Sequence, residues 1–282
     1  MLFRSTVAVV PHQLRAEAAA LAKTLIGELT SGGHEVRVPA ADADATGLTE
    51  WAYPADTLAA GLTLAVSLGG DGTMLRTVEL VAAAGVPVLG VNVGHLGYLT
   101  EVDGPDAQTA VERVLAGDHH VESRMTLAVT LDGHTRHALN EAVVEKTVSG
   151  HTVRVAVAIN ERPFTTYAAD GLIVATPTGS TAYNLSARGP IVSPTHRALV
   201  LTPVSAHMLF DRSMVLGPGE TITLEVAAGP PAVLVVDGRQ LGELSPGAVV
   251  SCRAGDYDVK LVTFERRDFH GILKRKFGLA DR

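Results

Sequence analysis

The first third of the chain alternates two hydrophobic rhythms. "STVAVV" is a short β-branched run and reads as a strand. After Pro11, residues Leu14, Ala18, Leu21, Leu25 and Leu29 recur at intervals of four and three, one face of a helix, and Gly32-Gly33 closes it. "HEVRVP" and "LTLAVSL" read as further strands, "TMLRTVELVAAAG" as a second helix and "VPVLGVNVG" as another strand. Strands separated by helices predict a parallel sheet with crossover connections. Open sheets of that kind bind ligands beyond the carboxyl ends of their strands. Two glycine-bearing stretches, "GGDGT" (69–73) and "NVGHLGYL" (92–99), fall at such ends and point to one cleft.

Beyond about residue 118 the rhythm changes. "RMTLAVTL", "HALNEAVVEK", "VRVAVAIN", "RPFTTY" and "GLIVATP" follow one another across short turns such as Asp132-Gly133 and Asn160-Glu161-Arg162-Pro163. Later come "ALVLTPV", "TITLEVAA", "AVLVVDG", "AVVSCRA" and "VKLVTF". Closely spaced short strands predict an antiparallel, sandwich-like second domain. A helical segment interrupts it at about Thr181–Ala187, and the closing "FHGILKRKFGLADR" reads as a helix that packs back on the first domain. The expected organisation is therefore a Rossmann-like α/β domain over 1–117, joined by 265–282, and a β-sandwich over 118–264. No internal repeat, low-complexity tract or flexible linker is visible.

Composition narrows the function. Over 282 residues, 46% are hydrophobic and 19% charged, which describes a soluble globular protein. Aromatics are 4%, so the cores are built from Ala, Val and Leu. A net charge of −7 argues against a nucleic-acid surface, which needs a basic face. The short basic cluster Lys274-Arg275-Lys276 reads as a solvated helix end. Cys252 stands alone, which suits a reducing cytoplasm, and its alternating surroundings make it core filler. The N-terminus has no signal-peptide pattern and no window is long enough to span a bilayer, so neither export nor a membrane is expected.

The chemistry concentrates in three places. In GGDGT, closely spaced glycines let backbone N–H groups converge on phosphate oxygens, and the helix that follows adds its positive N-terminal dipole. Phosphate repels an aspartate, so Asp71 needs a task such as taking a proton from an attacking hydroxyl or holding a magnesium ion; otherwise it caps the helix. Arg76, one turn on, offers compensating charge. The loop lacks the Lys-Ser/Thr of a P-loop and the spacing of a dinucleotide fingerprint. Asn140-Glu141 interrupts an alternating strand; the pair serves one ligand only if the strand bulges or ends there, and by pattern alone it reads as a solvent-facing edge. Residues 168–194, "AADGLIVATPTGSTAYNLSARGPIVSP", crowd Thr176, Thr178, Ser180 and Thr181 before Tyr183 and Asn184, a row of hydroxyls able to bind a polar ligand without adding charge. Thr181 or Ser180 as an N-cap accounts for one of them. His95 and His119-His120 form no metal-ligand spacing, and Ser180 lacks a nucleophile elbow.

GGDGT, NVGHLGYL, RMTL, NE and DGLIVATPTGSTAY, in this order, resemble the NAD kinases from about residue 60 to the final "LKRKFG". GGDG also occurs in diacylglycerol and sphingosine kinases, which are not expected to carry TPTGSTAY. The resemblance implies an α/β domain followed by a β-sandwich, assembled as a homodimer or homotetramer, with the active site between domains and completed by a neighbouring subunit. It implies transfer of the terminal phosphoryl group of ATP, or of polyphosphate, carried with Mg²⁺, to the 2′-hydroxyl of the adenosine ribose of NAD, giving NADP. By position, Gly69, Gly70 and Thr73 belong to the phosphate loop and Asp71 matches the general base. Gly72, Arg76, Asn140, Glu141, His151 and Asp170 match substrate-binding positions, as does the run Thr181, Ala182, Tyr183, Asn184, Leu185 and Ser186. Two departures stand out. Ala168 and Ala169 precede Asp170 where some relatives carry arginine or another polar residue, which bears on NADH acceptance. Arg239 follows Asp-Gly where relatives often place glutamine, here Gln240. The competing readings are a lipid or other small-molecule kinase sharing the loop, and a non-catalytic dinucleotide sensor; the retained Asp71 counts against the latter.

Overall fold

The computed structural model describes residues 4–94, 97–265 and 268–279; His95, and the last three residues of the closing segment expected to be helical, lie outside them. Contacts divide the chain into two compact units, Met1–Ser123 with Val259–Arg282, and Arg124–Asp258. The divisions fall within long strands, His120–Leu131 and Val249–Thr263, rather than at linkers.

The first unit is α/β. Parallel strands lie in the order Ala52–Tyr53, Glu35–Pro39, Thr6–Pro11, Leu64–Gly69, Val88–Asn92, with Val7 opposite both Val36 and Leu64, and Ala65 opposite Val88. Leu64–Gly69 is buried at every position, as a strand covered on both faces must be. The helix Ala16–Ser31 buries Ala18, Ala22, Leu25, Ile26 and Leu29. Leu14, expected on that face, is 90% exposed, because the helix starts only after the extended Arg15. The helices Ala40–Thr46 and Ala107–Leu115 were not foreseen; the first is an Ala/Asp run with little apolar periodicity. The helix Asp71–Val81 follows its strand after Gly70 alone, which sets Asp71 at its first position. The C-terminal helix Phe269–Phe277 belongs to this unit, with Lys276 Nζ 3.8 Å above the Tyr98 ring, so the basic cluster is only partly a solvated end.

The second unit is an antiparallel β-sandwich. One sheet runs in the order Met214–Leu216, Leu199–Val204, Gly171–Ala175, Glu141–Lys146, Ala232–Val236, Arg239–Leu244. Facing it across a core of Leu127, Val144, Val155, Leu172, Leu224 and Cys252 are antiparallel strands that include Arg162–Ala169, Val153–Ile159, Ile222–Ala228 and the start of Val249–Thr263. Burial pushes the Cys252 thiol up to about 12, which leaves it inert. "AVVSCRA" and "VKLVTF", read as two strands, are one. "HALNEAVVEK", read as one, is two, His134–Ala138 and Glu141–Lys146. The interrupting helix is a 3-10 turn, Gly179–Thr181, and a four-residue helix, Tyr183–Ser186. Among the described residues no helix is long and apolar enough to cross a membrane.

Candidate active site

In the first unit, the glycines of GGDGT have different reasons for being glycine. A Cβ on Gly69 would overlap the Thr73 side chain, so Gly69 is required by packing and Thr73 is a buried packing residue. A Cβ on Gly70 or Gly72 meets nothing within 4 Å. Backbone is bare at these two positions, beside a helix start whose first N–H groups have no acceptor inside the helix. Asp71 does not cap that helix. Its Oδ2 accepts from the Tyr98 N–H at 2.9 Å and its Oδ1 from the Leu99 N–H at 3.0 Å. A Cβ on Gly97 would overlap the same carboxylate, so the second glycine of NVGHLGYL exists to let Asp71 approach. A carboxylate has about four acceptor positions, and two bonds orient it while leaving room for a hydroxyl.

Two guanidinium groups and an imidazole lie near the strand ends of this unit. Arg76 donates to the Pro11 carbonyl at 2.7 Å and pairs at 3.1 Å with Asp42, whose side chain is 2% exposed. Burial holds the Asp42 carboxyl above its ordinary range, against the opposing effects of Gln13 and Arg76. Arg76 therefore anchors the loop's support. His12, whose N–H donates to the Leu68 carbonyl at 2.9 Å, is depressed by burial and then by the charges of Arg15 and Arg76. Arg15 donates to the Val93 carbonyl. His12 and Arg15 were not singled out in the sequence, where they look like loop residues after a strand.

In the second unit, the strand does end at Asn140-Glu141. Glu141 is not the solvent-facing edge residue that the pattern suggested: it is 7% exposed, because its strand lies inside the six-stranded sheet. Burial first, and then Asp237, push its carboxyl up to about 8, while the Tyr183 backbone N–H donates to it and pulls the other way. Its Oε2 is buried without a hydrogen-bond partner among the described residues. Asp170 pairs with Lys146 Nζ at 2.6 Å. The Tyr183 hydroxyl is raised by burial and then by Glu145, Asp170 and Glu141, so all three carboxyl groups lie within reach of its field.

The hydroxyls of the row bond within the fold, and Thr181 alone among them is part-exposed. Thr176 Oγ1 donates to the Leu139 carbonyl at 2.6 Å, Ser180 Oγ to that of Pro177 at 2.6 Å, and Thr181 Oγ1 to that of Thr178 at 3.2 Å. Thr178 Oγ1 accepts from buried Arg124. Buried hydroxyls must be paired, and here they shape the turn. Asn184 is fully buried, donating to the carbonyls of Ser180 and Pro190 and accepting from Thr202 Oγ1 at 2.6 Å. Ala182 and Leu185 are half-buried, Tyr183 and Ser186 exposed, and His151 is exposed in the connection before Val153. Asp237, passed over within "VVDGRQ", is the residue that holds Asn140-Glu141: its carboxylate accepts from the N–H groups of Leu139, Asn140 and Glu141 at 2.7, 2.8 and 3.1 Å. Its signal in the sequence was only a turn.

Among the described residues no group of three or more His, Cys, Asp or Glu side chains is placed to hold a metal ion. An ion that keeps waters and binds through nucleotide phosphates needs no such cage.

Residues 9–119 match the ATP-NAD kinase N-terminal domain family and residues 139–264 the ATP-NAD kinase C-terminal domain family. The NAD kinase of Symbiobacterium thermophilum is 39% identical over 275 residues, covering 95% of this chain and 97% of that one. Yeast NADH kinase, solved with NADH, superposes with a TM-score of 0.90 at 24% identity, over 99% of this chain and 89% of that one. An Archaeoglobus fulgidus NAD kinase solved with ATP gives 0.75 at 21%, over 99% and 100%. With both domain families matched in order and a relative of this identity spanning nearly the whole chain, this protein belongs to the NAD kinase family.

Proposed function

We propose that this chain phosphorylates the 2′-hydroxyl of the adenosine ribose of NAD, with ATP or polyphosphate as donor, and that Asp71 is the general base. The hydroxyl oxygen forms a bond to the terminal phosphorus, the bond from that phosphorus to its bridging oxygen breaks, and the hydroxyl proton passes to the Asp71 carboxylate. ADP or shortened polyphosphate leaves. Phosphoryl transfer needs positioning and charge neutralisation more than covalent chemistry. The observation that carries this reading is Asp71 itself, a carboxylate oriented by two backbone N–H groups between glycines whose backbone is open. Arg15 and Arg76 place positive charge near His12 at the start of this unit, which supports an anionic donor. Mg²⁺ arriving on the donor neutralises charge on its phosphates.

Glu141, Asp170 and Tyr183 are proposed to hold NAD, with Asn140 beside them; the buried, unpartnered Oε2 of Glu141 supports that role, since a ribose hydroxyl or adenine amino group would satisfy it. Assembly as a homodimer or homotetramer and a cytoplasmic location are proposed on family membership alone. The test is incubation with Mg-ATP and NAD, followed by phosphorus NMR of the product. A new monophosphate on the adenosine 2′ oxygen is expected; no phosphorylated dinucleotide from folded protein sinks the reading.

A further inference from the structure

Between the strands His134–Ala138 and Glu141–Lys146 the chain leaves the sheet ladder at Leu139 and Asn140, and these two, with Glu141 at the start of the second strand, draw on other partners. Every backbone polar group among them has one. The three N–H groups donate to the Asp237 carboxylate. The Leu139 carbonyl accepts from Thr176 Oγ1 at 2.6 Å, the Asn140 carbonyl from the Thr176 N–H at 2.8 Å, and the Glu141 carbonyl from the Asp237 N–H at 3.0 Å. A Cβ on Gly179 would overlap the Asn140 backbone, so the Thr176 turn closes tightly on the same segment. A charged acceptor serving three N–H groups makes stronger bonds than the neutral ladder it replaces.

We propose that Asp237 is a positioning residue for the acceptor nucleotide: by clamping Leu139–Glu141 it fixes where the Asn140 and Glu141 side chains meet NAD. This rests on the reading of those side chains given above. A plainer role must be separated from it. Asp237 has φ +46° and Gly238 φ +77°, a turn that favours Asp or Asn for backbone reasons alone. Asparagine meets that preference as well as aspartate does. Its amide, however, keeps one acceptor oxygen, enough for Asn140 and Glu141, and sets an NH₂ against the Leu139 N–H, donor against donor.

Asp237→Asn therefore separates the two roles. As a clamp, Asp237→Asn raises the NAD KM about tenfold while the ATP KM stays within about twofold, and Asp237→Ala raises the NAD KM further. Amide hydrogen exchange at Leu139 accelerates in Asp237→Asn while the core of the second unit stays protected. An Asn variant with the wild-type NAD KM and wild-type exchange at Leu139 overturns the proposal and leaves a turn residue. Equal rises in both KM values overturn it too. Asp237→Asn keeps the turn, so the test stands even if Asp237→Ala does not fold. Wild-type protein that makes no NADP defeats the underlying reading instead; NAD binding to the same variants, measured by calorimetry, then decides the clamp by the same tenfold criterion.

Discussion

Folded, Glu141 keeps a proton to about pH 8, because burial removes the solvation its charge needs and Asp237 adds repulsion. Unfolded, it releases that proton in the ordinary carboxylate range. Between the two, the native state binds more protons than the unfolded chain, so this group's contribution to stability is full at low pH and is lost as pH rises towards about 8. Glu141→Gln cannot titrate. Its urea midpoint is therefore expected to gain on the wild type's between about pH 5 and about pH 8; a gap that stays constant contradicts the buried, protonated carboxyl. How much of the site was legible at this scale depended on what each residue bonds to. Asp71 announced itself through glycines two of which have no packing reason to be there. Asp237 did not, because its carboxylate bonds backbone N–H groups almost a hundred positions away, and backbone contacts leave no side-chain pattern. Thr176, Thr178 and Ser180 misled for the converse reason: a hydroxyl shaping a buried turn looks, in sequence, like one waiting for a ligand.

At the scale of elements, the strand and helix rhythm of the first unit was readable because its periods of two and 3.6 are distinct. The failures came where periodicity is weak or interrupted. Ala40–Thr46 has no apolar stripe to announce it. The break at Leu139-Asn140 was hidden because the polar pair interrupts an apolar run as an exposed edge would. What closes that break is the turn at Thr176–Gly179. Gly179→Ala places a methyl group against the Asn140 backbone, which cannot give way as a flexible side chain would. Overpacking of this kind costs about 1–3 kcal/mol. Thermal unfolding should therefore drop by several degrees, with the NAD KM raised in the protein that remains folded. A melting temperature equal to the wild type's would show that the turn relaxes freely and has no hold on Asn140.

The whole chain carries a net charge of −7, yet its proposed donor is strongly anionic, so attraction has to be local. The guanidinium groups of Arg15 and Arg76 supply it in the first unit, and the buried carboxyl of Glu141 lies in the second. The two-domain architecture was legible throughout, since the switch from alternating strands and helices to strands alone survives any error in single elements. The lipid-kinase alternative falls with family membership; the sensor alternative turns on catalysis alone. The deciding measurement is therefore NADP formation by wild type and Asp71→Asn under saturating Mg-ATP, with NAD binding measured on both. Wild type should turn over, and the Asn variant should lose about 10²–10⁴-fold in kcat while binding NAD almost unchanged, since only proton acceptance is removed. An Asn variant with near-normal kcat would contradict the account and leave Asp71 as the anchor of the Tyr98–Leu99 backbone.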